Sequence, residues 1–209
     1  MKTNFDAFKE LMEEYLLENG QSCSLISDIE KTSYSKEGKR SLCNSPLLVL
    51  DMDKFAQDGY RKIVLPDSIS IEDSINTADA FLINKNNEWY FIEFKYAKLG
   101  NAKASVLKKA YSNIYAIMDV LFSMRGTEYE YKGFDYDNPI LFIQNNVKYI
   151  LVFSEKDNPQ HTLQMMNYKL KKENYLPEFM RRLQGYIYKE AYAMTETTFM
   201  NSFLNNFCY

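Results

Sequence analysis

Two otherwise apolar segments, NTADAFLIN (76–84) and EWYFIEFKYA (88–97), carry the charged residues Asp79, Glu93 and Lys95. Glu93 and Lys95 are two positions apart, so in a strand they share one face. Folding the segments about Asn86 sets Ile83 opposite Trp89, Phe81 opposite Phe91 and Asp79 opposite Glu93. Two of these pairs are apolar and the third is acidic. A slip of one residue would send Asp79 to the other face, so the whole reading depends on this register. Facing carboxylates have Cβ atoms roughly 5 Å apart and repel, and burying them unpaired is costly or shifts their pKa values. Lys95 neutralises one charge. A divalent cation between the acids would relieve the remainder and leave the Lys95 ammonium beside it. The plain alternative is a solvated ion pair worth less than about 1 kcal/mol, with Asp79 merely ending a turn.

Between Phe94 and Met118 the chain carries Lys95, Lys98, Lys103, Lys108 and Lys109 and no acid, although its net charge is −3. The spacing of Val106, Leu107, Ala110, Ile114, Ile117, Met118 and Leu121 predicts a helix over 102–124 with one apolar stripe. Lys103 falls within that stripe in the first turn, and its charge is expected to reach towards the acids. Lys108 and Lys109 fall off the stripe and are expected in solvent. A positive collar around a two-acid cradle suits a phosphodiester: lysines hold phosphates and a metal takes the developing charge. A solvated helix face explains Lys108 and Lys109 equally well.

Other elements must position these residues. Phe5, Phe8, Leu11, Met12, Tyr15 and Leu16 predict an amphipathic helix over 4–18, stopped at Gly20. A short helix is expected around SLISDIEK (24–31). Strands are expected in PLLVLDMDKF (46–55) and YRKIVLP (60–66), and a strand pair in PILFIQNNVKYILVFS (139–154) about Asn145-Asn146. The segment from Pro177 to about Met194 reads as helical, with a short last helix after it. This order predicts an α/β domain with a mixed sheet covered on both sides.

At 209 residues, with 46% apolar and 15% aromatic residues, the chain can build one sizeable core, and 1–209 is expected to be a single domain. No run approaches the roughly 20 apolar residues of a membrane span, and the N-terminus lacks a signal-peptide core. A cytoplasmic protein without membrane association is expected. Cys23, Cys43 and Cys208 are distant from one another, which favours reduced thiols. The single histidine, His161, sits in the turn-like DNPQH and is expected at the surface. One histidine excludes multi-histidine metal centres, so a metal here would have oxygen ligands and be a hard ion such as Mg²⁺.

The acid at the start of one strand, the E-x-K of IEFK on the next and the basic helix that follows resemble the PD-(D/E)xK nuclease-like superfamily, with its restriction-endonuclease-like fold. The resemblance covers about 60–155 and takes 4–18 as the family's first helix. It implies an αβββαβ core with a mixed central sheet flanked by helices, to which a C-terminal helical extension of about 170–209 would be added. It implies that Asp79, Glu93 and Lys95 are catalytic, and that Mg²⁺ or Mn²⁺ is held by Asp79, Glu93 and the main-chain carbonyl of Phe94. Lys95 would help activate water or stabilise the pentacovalent phosphorus. Lys98, Lys103 and Lys108 would contact nucleic acid, DNA before RNA. The implied activity is metal-dependent phosphodiester hydrolysis. Two features depart from the pattern. Ala78 precedes Asp79 where the family has proline, and the first helix keeps Glu10, Glu13 and Glu14 off its inner face, leaving Glu18 as the candidate extra acid. The alternative is a member that binds without cutting, as a protein-interaction or immunity and defence-linked module with a protein partner.

Overall fold

The computed structural model describes residues 2–36, 38–65 and 75–209. Among the described residues eight strands are found: β1 (Ile26–Asp28), β2 (Tyr34–Ser35), β3 (Arg40–Ser41), β4 (Leu48–Asp51), β5 (Ala80–Ile83), β6 (Trp89–Lys95), β7 (Val147–Phe153) and β8 (Glu190–Thr195). The α-helices are α1 (Asn4–Glu18), α2 (Ile29–Thr32), α3 (Met52–Lys54), α4 (Arg61–Val64), α5 (Leu99–Ser123), α6 (Pro139–Asn146), α7 (Pro159–Leu170) and α8 (Glu196–Thr198). Six strands form one mixed sheet in the order β1-β4-β5-β6-β7-β8, and β2 and β3 pair separately. β1, β4, β5 and β6 are antiparallel neighbours, whereas β6, β7 and β8 run parallel.

The 25-residue helix α5 makes the crossover that a parallel β6–β7 pair requires. The register of β5 against β6 is the one expected, with Phe81 opposite Phe91 and Ile83 opposite Trp89. One face of the hairpin meets α1, where the Phe8 ring lies 5.0 Å from Phe81 and 4.9 Å from Trp89. The other face meets the C-terminal segment: Tyr90 packs on Phe203 and Phe207, and Phe94 on Phe199. With apolar surface covered on both sides, the hairpin reads as nearly continuous hydrophobic sequence.

α1 begins at a capping box. The Thr3 hydroxyl accepts the Asp6 N–H at 3.1 Å, and the Asp6 carboxylate accepts the Thr3 N–H at 3.3 Å. All six apolar residues expected to form its inner stripe are buried. Gly20, at φ 71°, follows the helix in the left-handed conformation that a residue without Cβ adopts freely.

Four expectations about elements are corrected. Of YRKIVLP, Tyr60 closes a π-helical turn (Phe55–Tyr60) and 61–64 are α4, while Pro66 lies outside the described residues. The Tyr60 hydroxyl donates to Asp119 Oδ2 at 2.8 Å, which ties this turn to α5 instead of to the sheet. PILFIQNN is α6, with Pro139 in the first turn where its missing N–H costs nothing; a short apolar run does not by itself distinguish helix from strand. SLISDIEK supplies β1 before the short α2. The expected C-terminal helical extension contains β8, which pairs along the open edge of β7. β7 is buried at six of seven positions and needs neighbours on both sides, and that demand outweighs the helical look of 177–194. A helix absent from the sequence reading, α7, lies between the two strands.

Among the described residues no helix is long and apolar enough to cross a membrane. Cys23, Cys43 and Cys208 are free thiols.

Candidate functional site

Four hydrogen bonds bring Asp79 to its place. The Ala78 N–H donates to the buried Asn113 Oδ1 of α5 at 2.8 Å. The Thr77 hydroxyl donates to the Met52 carbonyl at 2.8 Å, and the Met52 N–H donates to the Asp79 carbonyl at 3.2 Å. The Asp79 N–H donates to the Ile92 carbonyl at 3.0 Å, one residue out of step with the ladder that begins at Ala80. At this end of the hairpin the side chain takes over from the ladder. Asp79 Oδ2 accepts the Phe94 N–H at 2.6 Å, a charge-assisted bond.

Glu93 is wholly buried, on the same face as Phe91 and Trp89. The Lys95 ammonium lies 2.6 Å from its Oε1. A second ammonium, from Lys109 of α5, lies 3.0 Å from Glu93 Oε2 and donates to Asp79 Oδ1 at 2.8 Å. Both Glu93 oxygens therefore have charge partners, yet neither receives a well-aligned hydrogen bond. Asp53, at the β4–α3 junction, lies 4.0 Å from the Lys109 ammonium. Three carboxylates thus face two ammonium groups, one negative charge in excess.

The electrostatics follow from burial. Loss of water is the main force pushing the Glu93 carboxyl up to about 7; Asp79 adds to it, while Lys109 and Lys95 oppose it. Asp53 is pushed up to about 6 by desolvation, with Lys109 opposing and Asp79 and Asp51 adding. Its side chain is 55% exposed, so solvent screens part of that effect. Burial alone would make Lys109 easier to deprotonate. The neighbouring Asp79, Glu93 and Asp53 outweigh it, so the ammonium is held charged.

Asp79 and Glu93 thus meet at the Lys109 ammonium, and Lys95 meets Glu93; the direct Asp79–Glu93 pair drawn from the hairpin is not part of the ladder, which begins at Ala80. The remaining expectations fare differently. Lys109 is buried at the centre of the site, not in solvent. Lys103 is exposed and lines a groove of about 610 Å³ with His161 and Arg181, away from the acids. The reason is rotational: the observed buried stripe of α5 runs through Ala102, Val106, Lys109, Ala110, Asn113, Ala116, Ile117, Val120 and Leu121. It is turned about one residue from the stripe drawn on the large apolar side chains. The signal for Lys109 was present in its spacing from Val106 and Asn113, two other members of the same face.

Lys98 precedes α5 and Lys108 lies on its outer surface, both exposed. Glu18, the candidate extra acid, is exposed in the last turn of α1. The acid that approaches the centre is Asp53. For Phe94 the visible engagement is through its N–H, donated to Asp79. His161 is half-buried in α7, with its Nδ1 2.6 Å from the Tyr175 hydroxyl.

The donor set consists of carboxylate oxygens, the chemistry of a hard cation. Among the described residues no group of three or more His, Cys, Asp or Glu side chains is arranged to hold a metal ion. The place between Asp79 and Glu93 is taken by the Lys109 ammonium. Compared with protein-family models, curated proteins and solved structures, the chain has no match.

Proposed function

We propose that this protein is a metal-dependent hydrolase of phosphodiester bonds in nucleic acid, DNA before RNA, built on a restriction-endonuclease-like core. The observation that carries the reading is the convergence of the Asp79 and Glu93 carboxylates with the Lys95 ammonium at one buried end of the β5–β6 hairpin. The order α1, β4, β5, β6, α5, β7 supports the αβββαβ arrangement.

The residues fit a hard divalent ion in kind. Two carboxylates share one cation between them, and the buried Glu93 oxygens lack aligned donors. Asp79 and Glu93, with the Phe94 carbonyl, would hold Mg²⁺ or Mn²⁺. When bound, such an ion supplies Lewis-acid polarisation of the phosphate and neutralises its developing charge. Lys95, tethered to Glu93, would place a positive charge beside the attacking water and the phosphorus. Water's oxygen would bond to phosphorus as the bond to the leaving sugar oxygen breaks, and that oxygen would take up a proton. Lys98, Lys103 and Lys108, exposed on or just before α5, would contact phosphates farther along the nucleic-acid strand, away from the centre.

The test is cleavage of plasmid and single-stranded DNA, and of RNA, with Mg²⁺ or Mn²⁺. Loss of cleavage in both Glu93→Ala and Lys95→Ala, with the fold retained, is expected. Activity surviving in both variants rejects the assignment.

One observation favours a non-catalytic interaction module instead. Tyr111, Tyr115, Ile140 and Tyr186 line an apolar groove of about 510 Å³ between α5, α6 and the loop before β8. Tyr115 and Tyr186 are 73% and 74% exposed. Such patches often mark interaction surfaces. A protein partner that co-purifies and covers this groove, with no cleavage under any metal, would select this reading.

A further inference from the structure

We propose that Lys109 is the resident counter-ion of the acidic pair, and that a divalent cation enters between Asp79 and Glu93 only by displacing its ammonium. This rests on the metal-dependent reading above and deepens it, since it names what regulates access to that site.

The geometry leaves little choice. The Lys109 Nζ lies 2.8 Å from Asp79 Oδ1 and 3.0 Å from Glu93 Oε2, so it bridges one oxygen of each acid. The other oxygens are taken: Asp79 Oδ2 by the Phe94 N–H and Glu93 Oε1 by Lys95. A divalent ion sits about 2.0–2.6 Å from its carboxylate oxygens. An ion on these two acids and an ammonium still bonded to the same oxygens would be cations in near contact, inside a region that water hardly screens. Both cannot stay.

The displaced group has somewhere to go. Asp53 Oδ1 is 4.0 Å from Nζ, and the Asp53 side chain is 55% exposed, whereas Asp79 is 13% and Glu93 0% exposed. Rotation of the flexible lysine stem would carry the ammonium to a carboxylate at the surface without unpairing it. In metal-free protein Lys109 would keep the two acids from repelling each other, which is the task the sequence assigned to a metal. The consequence is weak metal binding by the free protein, because each ion must first remove an internal competitor.

The experiment is calorimetric titration of substrate-free protein with MnCl₂. Wild-type protein is expected to bind weakly, Lys109→Met roughly tenfold or more tightly, and Glu93→Gln not at all. Equal or weaker binding by Lys109→Met, with Glu93 still required, overturns the displacement while leaving the metal reading intact. Absence of binding in both wild type and Lys109→Met overturns the metal reading and this inference with it. Should Lys109→Met fail to fold, the wild type decides. Acylation of Lys109 by an amine-reactive reagent, followed by mass spectrometry, is expected to rise several-fold at saturating Mn²⁺. Unchanged labelling at saturation overturns the inference.

Discussion

The side-chain amide of Asn113, buried in the middle of α5, accepts the main-chain N–H of Ala78 at 2.8 Å. This bond fixes the residue before Asp79 to the same helix that delivers Lys109, one turn earlier. The helix therefore sets the position of both partners in the central ion pair.

Replacing Asn113 by leucine should leave the Ala78 N–H buried and unsatisfied. A loss of about 1–3 kcal/mol is expected in urea denaturation. Cleavage should fall further than the stability change accounts for when assayed well below the melting temperature, because Asp79 loses its anchor. Unaltered cleavage in a folded Asn113→Leu protein would show that Asp79 is positioned by the hairpin alone.

The two lysines of the site should separate in their effects. Lys95 is 19% exposed in its side chain and touches one acid, whereas Lys109 is 11% exposed and touches two. Lys109→Ala leaves two buried carboxylates with one ammonium, and breaking a buried pair in this way costs roughly 3–5 kcal/mol. Lys95→Ala should cost less stability and reduce cleavage by roughly a hundredfold or more. Paired denaturation and rate measurements check this.

A pH effect is expected from Glu88, away from the site. Burial alone would raise its pKa, but hydrogen bonds from Lys148, Lys189, Tyr90 and Asn84 prevail and hold it down to about 2. A depressed carboxyl stabilises the fold while it is ionised, so its contribution is fully present above the unfolded value near 4.3. It is lost as pH falls from there towards 2. The stability difference between wild type and Glu88→Gln should accordingly shrink over that window and stay constant above about pH 5.5. Denaturation curves across pH 2.5–7 report it.

Gly59 marks a close approach between the π-helical turn and α1. A Cβ there would meet the Leu16 Cδ2 at 2.7 Å. Gly59→Ala should therefore destabilise the protein by about 1–3 kcal/mol through overpacking, and it should cost less in a Leu16→Ala background, where the clashing methyls are absent. A fully additive double mutant would show that the two do not touch.

The hairpin was legible because its two strands are local in sequence, joined by a short Asn-rich turn, and bear apolar residues that match in the observed register. Glu93 and Lys95 followed from their spacing within one strand, whereas Asp79 lies just beyond the ladder. α1 was legible for a similar reason, since its apolar stripe and its stop at Gly20 are local in sequence. α6 and β8 were not. PILFIQNN has the composition of either state. The end of the run from Pro177 to Met194 joins the sheet, as β8, only because β7, distant in sequence, offers it an edge.

What the residues alone determined was the chemistry in kind: two acids and a lysine gathered on one face, with the repulsion between the acids calling for a cation. Which cation answers that call in the folded chain was decided by tertiary structure. The rotation of α5 about its own axis, set by how Ala102, Val106, Asn113 and Val120 pack, turns Lys109 inward and Lys103 outward. A helix's apolar stripe read from its own sequence leaves that rotation undetermined by about one residue. One residue on a helix is about 100°, enough to exchange a solvated lysine for the one that bridges the acids.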